Sequence, residues 1–275
     1  MPPSKHLCSP PADQQRHIVD ILIEERAIEL IKRPVLWRFV RRYVYPMLGY
    51  QEAKDMTDKI ASMSGAEILR YLCTTLSMKI EVVGKRWVEP TGLAFATVNH
   101  PGGIADGIAV FDALRGIRDD IAFFANRDAV RISPKANDTF IPVEWRPPRR
   151  TRGKTREMLT TLNDCMAREM LIVIFPSGRL ARPTLRGLVE RPWTPTALSL
   201  ARKNNAPIIP INIRSKNSLL YYFFWFVNTE LRDMTLFREV LNKQEQRYWI
   251  RIGESFRCES NVAAETQALR DFVVN

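Results

Sequence analysis

The feature that most constrains this chain is a change of periodicity near Ser77. Beyond it, short apolar runs alternate with helical patterns. The candidate strands are Lys79–Val83, Leu93–Val98, Ile121–Ala125, Leu171–Phe175, Ile208–Ile213 and Tyr248–Ile252. Candidate helices lie between them at Asp106–Leu114, Lys154–Met170 and Pro195–Lys203, the last with Thr194 placed to cap it. Strands buried on both faces read as continuous apolar runs, and strands separated by helices build a layered α/β domain. Residues 79–275 are expected to form that domain.

Before Ser77 the pattern is helical over residues 16–78. Ile18, Ile21, Leu22, Ile28 and Ile31 keep helical spacing, and Pro34 breaks or restarts the helix. In the next segment Trp37, Val40, Val44 and Met47 share one face, with Arg38, Arg41 and Arg42 on another. Residues 1–15 are polar and proline-rich, and a disordered tail is expected there. The segment Arg146–Arg156 carries six basic residues in eleven and reads as a mobile loop.

Lys and Arg total 41 against 30 for Asp and Glu, a net of +11 over 275 residues. That surplus favours anionic partners: nucleic acid, acidic membrane or phosphorylated substrates. Cys8, Cys73, Cys165 and Cys258 form no paired motif, so no zinc site or disulfide framework is expected, and reduced thiols fit a cytosolic compartment. No secretory signal is visible, and no run approaches the roughly 20 apolar residues that span a bilayer. The longest apolar run is Leu219–Val227. A membrane, if met, is met at its surface.

Of three histidines, only His100 lies inside the α/β section. An apolar strand ends at Asn99-His100, a Pro-Gly-Gly turn follows, and Asp106 opens an amphipathic helix. Ligands bind at such strand ends in open α/β sheets. A histidine held by a carboxylate is a general base poised near neutral pH. Spacing alone leaves an equal alternative: Asp106 caps its helix and His100 fills a turn. Three further strand ends carry polar or turn residues. Leu171–Phe175 leads into Pro176-Ser177-Gly178-Arg179, whose backbone N–H groups and Arg179 suit an anion or oxyanion, or form only a solvated β-turn. Phe123-Phe124-Ala125-Asn126 ends at Arg127, a group for a phosphate, and Pro207-Ile208-Ile209-Pro210-Ile211 reads as core or pocket wall.

In this order the four blocks resemble the lysophospholipid acyltransferase family, which includes acylglycerol-phosphate acyltransferases. The matching blocks are Asn99-His100 with Asp106, Phe124-Ala125-Asn126-Arg127, Phe175-Pro176-Ser177-Gly178, and Ala206-Pro207-Ile208-Ile209-Pro210-Ile211. Two departures stand out. Five residues separate His100 from Asp106 where the familiar form has four, which resembles the bacterial hemolysin-like or ornithine-lipid-type branch. Ser177 stands where the common form has a glutamate tied to acceptor binding.

The resemblance implies one acyltransferase domain with a central mixed sheet flanked by helices. It implies transfer of an acyl chain from acyl-CoA or acyl carrier protein to the hydroxyl of a lysophospholipid, lysophosphatidic acid first, to give phosphatidic acid. His100 and Asp106 are then the catalytic residues. Asn99, Arg127, Ser177, Gly178 and Arg179 line the substrate. No metal or redox cofactor is implied, and the protein is expected at the cytoplasmic face of a membrane, peripherally bound. The Trp37 helix and Leu219–Val227 are the candidate membrane contacts; each also reads as packing surface. Competing readings are acylation of lyso-ornithine lipid, a non-catalytic lipid binder of the same fold, and a nucleic-acid binder. The last lacks any recognition motif, so no specific nucleic acid is expected.

Overall fold

The computed structural model describes residues 16–185, 187–259 and 261–274. The tail expected over residues 1–15 lies outside the described residues. The described chain is a mixed α/β structure built on a seven-stranded sheet in the order β1-β9-β8-β2-β5-β3-β4. The strands are β1 (Lys79–Val83), β2 (Ala94–Val98), β3 (Ile121–Asn126), β4 (Phe140–Val143), β5 (Leu171–Ile174), β8 (Ile208–Arg214) and β9 (Arg247–Ile252). A separate hairpin pairs β6 (Arg182–Thr184) with β7 (Gly187–Val189). Five strands of the large sheet run parallel. β9 turns antiparallel against β8, and β1 follows β9 in parallel.

The two central strands, β2 and β5, are buried along their whole length. Their side chains enter two apolar layers, one on each face of the sheet. One layer packs Ile68, Leu72, Ile108 and Phe111 against Ala96, Val173, Ile209 and Ile250. The other packs Leu162, Leu198, Ala201 and Leu269 against Phe95, Ile172 and Ile208. The helices Gly65–Leu76 and Ile104–Leu114 therefore cover one face, and Arg152–Ala167, Thr196–Lys203 and Val262–Val274 the other. The last of the three expected helices begins at Thr196 with Pro195 as its cap. Thr194 does not cap it; its N–H and hydroxyl instead donate to Pro176 O, both at 3.0 Å.

The segment 146–156 is not loop throughout. Pro147–Arg149 forms a 3₁₀ turn, and the Arg152–Ala167 helix starts inside the segment. Three of its six cations are held by carboxylates: Arg149 by Glu25 at 2.6 Å, Arg146 by Glu144 at 3.4 Å and Lys154 by Glu144 at 2.8 Å.

Residues 16–78 form short helices, with a π-helical turn at Val40–Val44. Val19, Ile23, Leu30, Val40, Val44 and Tyr45 share a third apolar cluster with Met234, against which Trp37, Leu220 and Leu231 pack. The buried stripe of the Trp37 helix thus packs inward. A second set, Val35, Leu36, Phe39, Tyr43 and Met47, stays exposed, as do Arg38, Arg41 and Arg42.

Candidate active site at the strand ends

β2, β5, β8 and β3 run parallel, so the residues that follow them gather at one edge of the sheet. β2 lies between β8 and β5. His100, two residues past the end of β2, is flanked by Ser215 just after β8 and by Phe175 just after β5.

Asp106 sits in the first turn of the Ile104–Leu114 helix, and its side chain is fully buried. Its Oδ2 accepts from Gly102 N at 2.7 Å and Gly103 N at 3.0 Å, and lies 3.0 Å from His100 Nδ1. Its Oδ1 accepts from Ser215 Oγ at 2.7 Å. A buried carboxylate is tolerable only when hydrogen-bonded, and this one is bonded on both oxygens. Capping and orientation, alternatives on sequence grounds, are performed by one group. Gly103 adopts φ +85°, a conformation most side chains resist, and this turns the chain so that both glycine N–H groups face Oδ2.

The His100 ring stacks on Phe175 with centroids 4.2 Å apart, and its side chain is 14% exposed. Nδ1 faces Asp106, so Nε2 is the nitrogen left for chemistry. The backbone is fixed on both sides: His100 N donates to Glu190 Oε2 at 3.1 Å, and His100 O accepts from Ala181 N at 2.8 Å. Glu190 is itself buried and accepts from Trp193 Nε1.

The other residues marked by sequence divide. Asn99 is buried, and its amide clamps β8, donating to Ile213 O at 3.0 Å and accepting from Ile213 N at 2.7 Å. Each end of the amide is engaged, so Asn99 braces β2 against β8. Gly178 N donates to Phe175 O at 2.8 Å, closing the turn, so this N–H does not point at an oxyanion. Ser177 Oγ donates to Arg179 O at 2.8 Å, while the Ser177 N–H makes no hydrogen bond among the described residues. Arg179 is exposed and unpaired among the described residues. Arg127 follows β3, two strands from β2 and so roughly 10 Å away in the sheet, and it pairs with Glu157 at 2.5 Å.

A buried polar group behind Ser215 escaped the sequence reading. With the Asn217 amide turned so that its nitrogen donates, it reaches Gly102 O at 2.9 Å and Glu239 Oε2 at 3.3 Å. Glu239 also accepts from Ser218 N at 2.8 Å and lies 3.4 Å from Lys243 Nζ. Lys243 Nζ donates to Lys216 O at 2.7 Å. Burial pulls the Lys243 ammonium below its ordinary value, against the opposing charge of Glu239. Nothing but distance along the chain hid this group, since Ser215 is 109 residues from Asp106.

Residues 79–214 match the protein-family model described as Acyltransferase. No curated protein matches the chain significantly. Among solved structures, the chain is similar to the crystal structure of the 1-acyl-sn-glycerophosphate (LPA) acyltransferase from Thermotoga maritima. The identity is 16% and the TM-score 0.46, with 93% of this chain and 92% of that chain covered.

Proposed function

We propose, from the acyltransferase domain that residues 79–214 carry, that the chain transfers a fatty acyl group from a thioester to the hydroxyl of a lysophospholipid. Lysophosphatidic acid is the first acceptor, giving phosphatidic acid. The observation that carries this reading is the buried Asp106 carboxylate 3.0 Å from His100 Nδ1, at the strand-end edge of the sheet. His100 Nε2 takes the acceptor hydroxyl proton as the oxygen attacks the thioester carbonyl carbon. The tetrahedral oxyanion then collapses, the C–S bond breaks, and the proton passes from Nε2 to the leaving thiolate. Asp106 keeps Nδ1 protonated and steadies the imidazolium between these transfers. The Ser177 N–H is the donor left in its turn for the oxyanion. Arg179, exposed beside that turn, holds the acceptor phosphate, since a guanidinium fork matches phosphate geometry. Arg127 serves the same anion only on release from Glu157. The reaction needs no cofactor beyond the thioester.

The acceptor resides in a bilayer, and the exposed apolar surface fits that source. No helix among the described residues is long and apolar enough to cross a membrane. The Leu219–Val227 helix buries Tyr221 and Phe224 but exposes Leu219, Phe223, Phe226 and Val227. Leu220 joins it to the cluster beneath the Pro34–Phe39 helix, whose exposed side carries Leu36 and Phe39 beside Arg38. Apolar side chains with flanking arginines suit the anionic headgroup layer.

The test is transfer of labelled acyl groups from acyl-CoA and acyl carrier protein to a panel of lysolipids. His100→Ala should lower kcat by about 10²–10⁴-fold, the usual contribution of a general base. Product formation that survives the substitution removes His100 from the mechanism. Absence of product with every acceptor, from folded wild-type protein, removes the activity.

A further inference from the structure

On the side of the sheet beyond β8, strands β9 and β1 present one face to solvent. In β9, Tyr248, Ile250 and Ile252 point into the core, while Arg247, Trp249 and Arg251 point out. Trp249 is opposed by Arg214 on β8 and by Glu81 on β1. Trp249 is 47% exposed, and its indole is fixed by a 3.0 Å hydrogen bond from Nε1 to Glu81 Oε2. A cleft of about 870 Å³ opens over this face, and Arg214, Ser215, Lys216, Arg247, Trp249 and Arg251 line it.

The cations in this cleft differ from those that ion pairs hold within the fold. Arg26, Arg118, Arg127 and Arg131 each pair with a carboxylate. The side chains of Arg214, Lys216 and Arg247 make no hydrogen bond or ion pair among the described residues. Three unneutralised cations around a half-exposed aromatic ring form a complementary surface for a ligand with several phosphates and a planar base. The cleft also reaches the proposed catalytic centre, because its wall includes Ser215, whose hydroxyl holds Asp106. β9 runs antiparallel to β8, so Arg247 at the start of β9 lies at the same sheet edge as His100.

We propose that this cleft seats the phosphorylated adenosine of a coenzyme A thioester, with Trp249 stacking on the base and Arg214, Lys216 and Arg247 binding the phosphates. The proposal rests on the acyl-transfer reading and deepens it by naming the donor. A single lipid phosphate would leave most of the cations and the indole unused. The exposed apolar side chains of the Leu219–Val227 and Pro34–Phe39 helices do not line this cleft.

The experiment has two arms. In the first, free coenzyme A is titrated into the full chain by calorimetry, with inorganic phosphate as the control. Arg214→Ala/Arg247→Ala should weaken coenzyme A binding by about 100-fold, since each lost charged hydrogen bond is worth roughly tenfold or more. Trp249→Phe should weaken it less. Both substituted arginines are exposed strand or strand-end residues, and a circular dichroism spectrum matching wild type confirms that the double variant folds. In the second arm, the KM for acyl-CoA should rise in the double variant with kcat retained. Coenzyme A affinity or KM untouched by the double substitution overturns the assignment, even if acyl transfer is real. Loss of activity with acyl carrier protein alone overturns it too, in favour of an acidic protein on this face. Coenzyme A binding that depends on these residues, without transfer to any acceptor, upholds the cleft and refutes the acyl-transfer reading instead.

Discussion

Replacing Ser215 with alanine tests whether the proposed base is held by more than its neighbours in sequence. Among the described residues three groups face Asp106 Oδ2, but only the Ser215 hydroxyl serves Oδ1, at 2.7 Å, and the carboxylate side chain is fully buried. Ser215→Ala leaves one oxygen of a buried anion without a donor. A hydrogen bond to a charged group contributes about 1.5–3 kcal/mol, so unfolding free energy should fall by about 2 kcal/mol. The carboxylate then pivots about its Oδ2 contacts, and His100 moves with it. If even half of that energy is lost from the transition state, kcat/KM falls by about fivefold, because 1.4 kcal/mol corresponds to tenfold. Ser215→Thr keeps the hydroxyl and should restore most of both quantities. Urea unfolding and initial-rate kinetics on the same preparations give the two numbers. Unchanged kcat/KM in an alanine variant that has lost the full stability increment would refute the positioning role. The two glycine N–H groups would then suffice to hold Asp106.

Three further outcomes are expected. Gly102→Ala puts a methyl group 2.5 Å from Ser215 Oγ and 2.7 Å from Asp106 Oδ1, so it should cost about 1–3 kcal/mol of stability and most of the activity, read by thermal unfolding and kcat/KM. Asn99→Ala leaves Ile213 N–H and C=O without the partners they now have, so stability should drop by about 2–4 kcal/mol while KM for the acceptor holds; a raised KM with unaltered stability would restore a substrate role. Glu25 gives a pH signature: burial would raise its pKa, but hydrogen bonds and charge from Arg131 and Arg149 outweigh it and hold the carboxyl at about 2, down from 4.5. A depressed folded-state value stabilises the fold above the unfolded value and is lost as pH falls from about 4.5 through about 2. Glu25→Gln should therefore lower the urea midpoint at neutral pH and flatten its fall across that acid range.

The sheet was legible where burial leaves a mark on composition. β2, β5 and β8 are apolar along most of their lengths because both faces are covered, and their positions follow from the sequence pattern. β4 was missed because it is four residues long and contains Pro142. A proline is tolerated there because β4 is an edge strand, bonded only to β3. The site was legible to the extent that its parts are local in sequence. Asp106 and His100 are six residues apart and share a turn, so their meeting was foreseeable. Ser215 and Glu190 arrive from distant strands and loops, and a serine after a strand carries no pattern of its own. Backbone partners were equally hidden: nothing in the residue types of Asn99 or Gly178 reveals that Ile213 and Phe175 engage them.

The double engagement of Asp106 Oδ2 has a consequence for how the centre assembles. Starting a helix is its costly step, because several residues must be fixed before the first bond repays them. Here the acceptor that satisfies the N–H groups of Gly102 and of the N-cap Gly103, just before the Ile104–Leu114 helix, is also the acceptor facing the imidazole. Nucleating that helix and aligning the proposed base are therefore coupled, and a variant with a frayed first turn is expected to lose acyl transfer. The number of residues between His100 and Asp106 is then free to vary, as long as the intervening turn still delivers two N–H groups and one ring nitrogen to the same oxygen.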